Sequence, residues 1–338
     1  MDARVQGTEE IRKAGTPATG RRLQVVALGG GTGLPVVLRG LVEHPEVQLA
    51  AVVAMSDDGG SSGRLRRTRG GLPPGDVRNC LAALASEDAP LAPLFQHRFG
   101  GSGALRGHAL GNLLLAAEAE RSGDFLAAVA RVALLLKSRG RVLPCTLEPV
   151  ELLAFRDSGP PVLGQRWLSR GTGRVVRVEL SPSLPVPAPG VLSLIQSADL
   201  VVLGPGSLFS SVLPPLLVAG VAAALARSRA LKVWVANLVT QRGETCGMDA
   251  ADHLAALKAH AGEVVDVALV NDRPLSVGTQ DLYARSGGLA LDWDEAGLRD
   301  HGVVPCAVDL LREGPRARHC PAKVARALMA LAIPRGSA

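Results

Sequence analysis

The chain has 338 residues, 47% hydrophobic and 20% charged, enough for one large or two ordinary domains with a real core, which excludes a disordered, collagen-like or coiled-coil protein. Its formal charge of +6 is concentrated at the ends, with five basic against three acidic residues in 1–22 and six against one in 312–335. The near-neutral middle, with 3% aromatic residues overall, lacks the basic face and stacking platforms of a nucleic-acid binder.

The C-terminal excess of Arg and Lys instead points to a local site for an anionic small molecule, or simply to solubility. The five cysteines, Cys80, Cys145, Cys246, Cys306 and Cys320, form no CxxC pair, which fits reduced thiols in a cytoplasm and no structural zinc. Residues 1–22 have no apolar run of the signal-peptide kind. They are expected to be a disordered leader, with one α/β domain over 23–335.

In chain order, 23–28 (LQVVAL) reads as a buried strand, the run Gly29-Gly30-Gly31-Thr32-Gly33 as a loop, and Leu34, Val37, Leu38 and Leu41 as a helix face. A second strand over 47–55 ends in the polar, glycine-rich run SDDGGSSGR. Helices are expected at about 76–86, 108–121 and 124–138, then a strand at 141–145. Short strand-like runs at 150–155, 162–167 and 174–180, split by SGPP and RGTG turns, mark a β-rich insertion over about 147–188. The α/β alternation resumes with a helix at 190–198, a strand at 199–203, the loop Gly204-Pro205-Gly206-Ser207 and a helix to about 227. Strands at 232–237 and 266–270 flank a helix at 249–261, and a strand at 303–308 and a helix at 321–332 finish the chain. The apolar stretch 212–226 is too short for a membrane span and contains Pro214 and Pro215, so it reads as a buried helix beginning at the prolines. The fold class is therefore α/β, Rossmann-like: a mostly parallel sheet with helices on both faces and a small β insertion.

Bare amides at a strand-to-helix turn stabilise a phosphate or carboxylate, so Gly30, Gly31, Thr32 and Gly33 are candidate ligand-binding residues. The pattern GGGTGL is neither GxGxxG nor a Walker loop, and a glycine turn that only packs the helix is the alternative. Gly204, Gly206 and Ser207 form a second such junction on the same sheet, and both would face the carboxyl ends of parallel strands, where α/β sheets bind ligands. Asp57 and Asp58 end the second strand, where dinucleotide folds place an acid on a ribose; a divalent metal, a helix N-terminus or a plain turn are the other uses. Asp76 is expected to cap its helix, with Arg78 and Asn79 in the first turn within reach of a ligand. His108 and Asn112, four residues apart, would share a helix face. Asn237 ends a strand before the polar loop TQRGET, while Tyr283, the only tyrosine, and Arg318-His319 offer a stacking ring and a phosphate counter-charge.

Together GGGTGL, SDDGGSSGRLR, PPGDVRN, GHALGN, GPGSL, TQRGET and the RH near the C-terminus, in order from about residue 23 to 334, resemble the CofD-like superfamily, specifically its YvcK branch of gluconeogenesis factors. The resemblance implies a cytoplasmic protein that binds UDP-sugars such as UDP-N-acetylglucosamine. It also implies a need for the protein in cell shape and wall integrity on gluconeogenic carbon, with no established catalysis. Carried over, the glycine loop with Thr32 holds phosphate, and Tyr283 and Arg318 match positions that contact the uridine nucleotide. Expected partners are a UDP-sugar or related dinucleotide and cell-wall regulatory proteins, without nucleic acid or membrane span and with a homo-oligomer left open. No cofactor is required and no metal site is assigned. Departures are Phe209 for Tyr, Pro215 for Asn, His97 for Tyr and Cys320 for Asp, the last weakening any metal or cap at that spot. Two rival readings remain: a magnesium-dependent transferase related to 2-phospho-L-lactate transferase, with Asp57 and Asp58 on the metal, and a nicotinamide-dependent dehydrogenase. No catalytic residue is assigned.

Overall fold

Strands covered on both faces need continuous apolar runs instead of alternation, and the main sheet is built from such runs. The computed structural model describes residues 21–170, 173–312 and 314–332; the expected leader therefore lies outside the described residues except for Arg21 and Arg22, as do residues 333–338. The strands are β1 (Leu23–Gly29), β2 (Val47–Val53), β3 (Arg141–Pro144), β4 (Glu151–Arg156), β5 (Val162–Leu163), β6 (Val175–Ser181), β7 (Leu200–Leu203), β8 (Leu231–Val235), β9 (Val267–Asn271) and β10 (Val304–Val308). Every residue of β7 and β8 is buried. Even Lys232 in β8 lies flat, its Nζ 3.0 Å from Asp266 Oδ2.

Seven strands form one parallel sheet in the order β10-β9-β8-β7-β1-β2-β3, while β5-β4-β6 form a separate antiparallel sheet. The chain runs outward from β1 through β2 to β3, then returns to place β7 on the open side of β1 and continues to β10. The direction of winding thus reverses between β1 and β7, the position at which open α/β sheets leave a crevice. Register makes the crevice level: Gly29 pairs with Val53, and Leu28 with Leu203. The turns after β1, β2 and β7 therefore start at one height.

The helices are α1 (Leu34–Leu41), α2 (Gly60–Arg69), α3 (Gly75–Leu84), α4 (Ala92–Phe95), α5 (Leu110–Ser122), α6 (Phe125–Leu135), α7 (Val191–Ser197), α8 (Leu213–Leu216), α9 (Val221–Arg227), α10 (Ala250–Ala261), α11 (Val277–Ala284), α12 (Glu295–Asp300) and α13 (Pro321–Ala332). Right-handed crossovers put helices on opposite faces when the winding direction changes. Accordingly α1 packs with α3 and α13, and α10 packs with α8 and α12.

Several expectations need correction. The run GSSGRLRRTR, for which no helix was expected, is the helix α2; its start has Gly59 extended and Gly60 at φ +45, and its apolar face is too narrow to register as a period. The helix expected from 108 begins at Leu110, because His108 is still paired with Phe99 in a hairpin-like turn. Only Val162–Leu163 of the 162–167 run is strand, and Gln165–Arg170 continues as a 3₁₀ turn. The expected single helix to 227 is a π-helical turn (Leu208–Val212), α8 and α9. Gly220 at φ +76 breaks it, with a 75° bend between the two parts. Among the described residues no single helix is long and apolar enough to cross a membrane. Helices α11 and α12 had no counterpart in the sequence reading.

Helices α1 and α13 meet where Gly40 lets them touch, since a Cβ there would overlap the Pro321 carbonyl oxygen and lie 2.9 Å from Ala325 Cβ. Gly40→Ala should therefore cost about 1–3 kcal/mol of stability through overpacking. Urea denaturation reads this directly, and an unchanged midpoint would show that the two helices do not depend on that approach.

Candidate functional site

The turn after β1 runs Gly30-Gly31-Thr32-Gly33 into α1, and the turn after β7 runs Gly204-Pro205-Gly206-Ser207 into the π-helical turn. The two turns are in contact. A Cβ at Gly33 would overlap the Pro205 carbonyl oxygen, and one at Gly206 would lie 3.7 Å from Gly30 O. Gly33 has φ −78, so space and not torsion demands glycine there, whereas Gly31 and Gly204 have φ of +64 and +78. Asn237, just beyond β8, grips the second turn from its other side: Oδ1 accepts from Gly206 N–H at 3.2 Å and Nδ2 donates to Gly206 O at 2.8 Å. All eight of these candidates, with Thr32 exposed and Ser207 and Asn237 half-buried, gather at the β1–β7 switch.

Asp76 does not cap its own helix. Pro74 holds the cap position of α3 without a side-chain cap bond, and Asp76 Oδ2 instead accepts from Gly31 N–H at 2.7 Å. An amide expected to meet a ligand phosphate thus already has a protein carboxylate. Burial, then the Asp57 charge, pushes Asp76 up to about 7. Asp57 is also raised, chiefly by burial, although its Oδ1 accepts from Gly59 N–H at 2.9 Å. Two carboxylates this close and this dry do not ionise together easily. Arg78 is their counter-charge, and its guanidinium donates to Gln96 Oε1 and, at 2.8 Å, to Asn79 Oδ1. Asn79 Nδ2 in turn reaches Gly31 O at 3.4 Å.

Asp58 takes a different partner from Asp57, although its charge still helps to raise the Asp57 pKa. Asp58 Oδ1 accepts from Arg166 N–H at 2.9 Å, so it ties the 3₁₀ turn after β5 to the turn after β2, while Asp57 takes Gly59. Among the described residues no group of three or more His, Cys, Asp or Glu side chains is arranged to hold a metal ion. Asn112 is buried and its Nδ2 donates to Ser61 Oγ at 3.0 Å, which itself lies 3.0 Å from His108 Nδ1. The expected His108–Asn112 helix face is therefore replaced by a bridge through Ser61.

At the other end of the crevice, Tyr283 donates from its hydroxyl to Ala317 O at 3.3 Å. His319 Nε2 donates to Ala236 O at 3.0 Å, and burial holds this imidazole down at about 4, neutral at physiological pH. These two bonds bracket Arg318, which is exposed, and moor its segment one residue before Asn237. A cavity of about 150 Å³ opens beside Asn237 and is lined by Asn271, Arg273, Leu291 and Trp293.

One pair was missed by sequence reasoning. Ser210 Oγ lies 3.0 and 3.1 Å from the two carboxylate oxygens of Glu244, and burial pushes Glu244 up to about 7. Glu244 stands in a polar loop, where composition gives no sign of burial. The one available signal was its proximity to Arg156 through Gly243, whose carbonyl accepts from Arg156 Nη2 at 3.1 Å, and that requires the fold.

The family model described as 2-phospho-L-lactate transferase CofD matches residues 25–311. The chain belongs to the CofD family. Within it, the gluconeogenesis factor of Halalkalibacterium halodurans is 41% identical over 91% of this chain and 96% of its own length. That of Bacillus subtilis is 41% identical over 84% and 90%. A crystal structure of a UPF0052 family member from Bacillus halodurans, also 41% identical, superposes with a TM-score of 0.88 over 91% of this chain and 99% of that one. The family relationship and the observed architecture agree in the parallel sheet, its flanking helices and the small antiparallel sheet.

Asp76 gives a pH signature. Its folded pKa, about 7, lies above the ordinary 3.8, so the folded state holds the proton longer than the unfolded chain. The associated stability is complete below about pH 4 and is lost as pH rises toward 7, at up to about 1.4 kcal/mol per pH unit. Asp76→Asn should remove that component. Urea titrations from pH 4 to 8 should show a difference between wild type and variant that changes across this window, and a constant difference would count against the buried acid.

Proposed function

We propose that the protein binds a UDP-sugar, UDP-N-acetylglucosamine in the first instance, and acts as a regulatory factor linking that pool to cell shape and wall integrity during growth on gluconeogenic carbon. The observation that carries this reading is the contact between the two glycine turns at the β1–β7 switch. A diphosphate laid across them meets amides of both turns other than those of Gly31 and Gly206, which Asp76 and Asn237 hold, with the first turn of α1 behind one of them. Tyr283 and Arg318, moored to the same edge, supply a ring face for a base and a cation for a phosphate. The gluconeogenesis-factor names of the relatives favour the same reading. In it the protein works in the cytoplasm, passes its signal to cell-wall regulatory proteins and needs no cofactor for binding.

A transferase reading is favoured by two things, the CofD family description and the paired acids Asp57 and Asp76 beside the first turn. Isothermal titration with UDP-N-acetylglucosamine, with and without Mg²⁺, followed by analysis of the recovered ligand, separates the two. Saturable binding with intact ligand supports the regulator, consumption of ligand supports the transferase, and absence of binding removes the nucleotide-sugar assignment. Arg318→Ala should weaken binding by about 1.5–3 kcal/mol, the range for a hydrogen bond to a charged group. Calorimetry showing equal affinity would take Arg318 out of the site.

A further inference from the structure

A second polar cluster lies on the far side of Arg78 from the glycine turns. Residues 97–110 fold back on themselves, with Phe99 N–H donating to His108 O at 3.0 Å, Gly107 N–H to Phe99 O at 2.7 Å and Leu110 N–H to His97 O at 2.9 Å. Two arginines converge on this hairpin at Gly107. Arg98 Nη1 donates to the Gly107 carbonyl at 3.0 Å, and Arg64 Nη2 lies 3.3 Å from the place a Gly107 Cβ would occupy. Neither guanidinium has a carboxylate within 4.0 Å among the described residues. Cations held near each other without an acid lack the partner that usually offsets their repulsion.

His108, next in sequence, adds a directed donor. Asn112 Nδ2 donates to Ser61 Oγ, so the Ser61 hydroxyl hydrogen is free to go to His108 Nδ1 at 3.0 Å. With the hydroxyl hydrogen directed there, Nδ1 is the acceptor and the imidazole hydrogen sits on Nε2, which makes no hydrogen bond among the described residues; the nitrogen-15 spectra below test this tautomer. Burial and the Arg64 charge lower the pKa of His108, so the ring is neutral near pH 7 and donates without being charged. Among the described residues, Asn112 Oδ1 and Arg78 Nε are buried without a partner, and Arg78, which is 4% exposed, also feels the Arg98 charge.

We propose that Arg64, Arg98 and the Nε2–H of His108 form a second anion site, distinct from the glycine turns, which takes the phosphate or carboxylate group of a small molecule. Two guanidinium forks and one neutral N–H suit a tetrahedral or planar oxyanion. The site stands on its own geometry and does not depend on the UDP-sugar reading. Arg78, which feels the Arg98 charge, reaches Asn79 and through it Gly31 O, so this cluster is connected to the first glycine turn through one side-chain layer.

The test uses the full chain and inorganic phosphate as probe. Isothermal titration without nucleotide should give saturable binding that falls at least about tenfold in Arg64→Ala and in Arg98→Ala, the loss of a charge-assisted contact. Arg64→Lys should restore part of it. Nitrogen-15 spectra of the wild type provide a second readout: His108 should show the Nε2–H tautomer, and its Nε2–H resonance should move on phosphate addition. Absence of saturable binding, equal binding by the Arg64→Ala/Arg98→Ala double variant, or an unmoved His108 resonance would each overturn the proposal. The same titrations with UDP-N-acetylglucosamine report on the glycine turns separately, so failure of one site does not imitate failure of the other.

Discussion

The arrangement at the carboxyl edge depends on how closely two turns pass. β1 and β7 are adjacent, parallel and level at their ends, so the chain leaving each must turn within the few ångströms between neighbouring strands. Gly33 against the Pro205 carbonyl is where that constraint is met. Any side chain at Gly33 would separate the turns, and with them the two halves of the crevice. Asn237 then acts as a substitute peptide group, offering Gly206 one acceptor and one donor as a further strand residue would.

Charge is arranged in layers around this contact. Nearest the first turn, Asp76 holds the Gly31 amide, Asp57 lies close enough to raise it, and Arg78 offsets both. Removing Arg78 would leave two buried acids without a counter-charge, a costlier state than either an intact set or an apolar one. Outside Arg78 the sign reverses, with Arg64 and Arg98 at Gly107. On the opposite side, neutral His319 fixes the Arg318 segment by a hydrogen bond instead of an ion pair.

Much of the sheet was legible because a strand buried on both faces has only one kind of sequence. VVAL in β1 and LVVL in β7 admit little else, and each is followed by a glycine turn that signals the site. The α2 segment was not legible, because GSSGRLRRTR buries mostly Ser and Gly and carries no apolar stripe; its helix is held by tertiary contacts. Asp76 was misread for a related reason. A carboxylate in the first helical turn satisfies local amides in most sequences, and only the fold shows that Gly31, 45 residues earlier, competes successfully for it. Asp57 and Asp58 are neighbours in sequence but take different partners, one Gly59 and the other Arg166.

The reversal of winding also sets an order of events during synthesis. Val26 of β1 and its β7 partner Val201 are about 175 residues apart, whereas β2 follows β1 almost at once. At typical elongation rates of 5–20 residues per second, one edge of β1 waits roughly 9–35 s for its neighbour. Until then the first glycine turn faces an open strand edge with half of its crevice missing. The crevice between the two glycine turns therefore cannot form on the nascent chain until β7 has been made, and its presence certifies that both halves of the sheet have met.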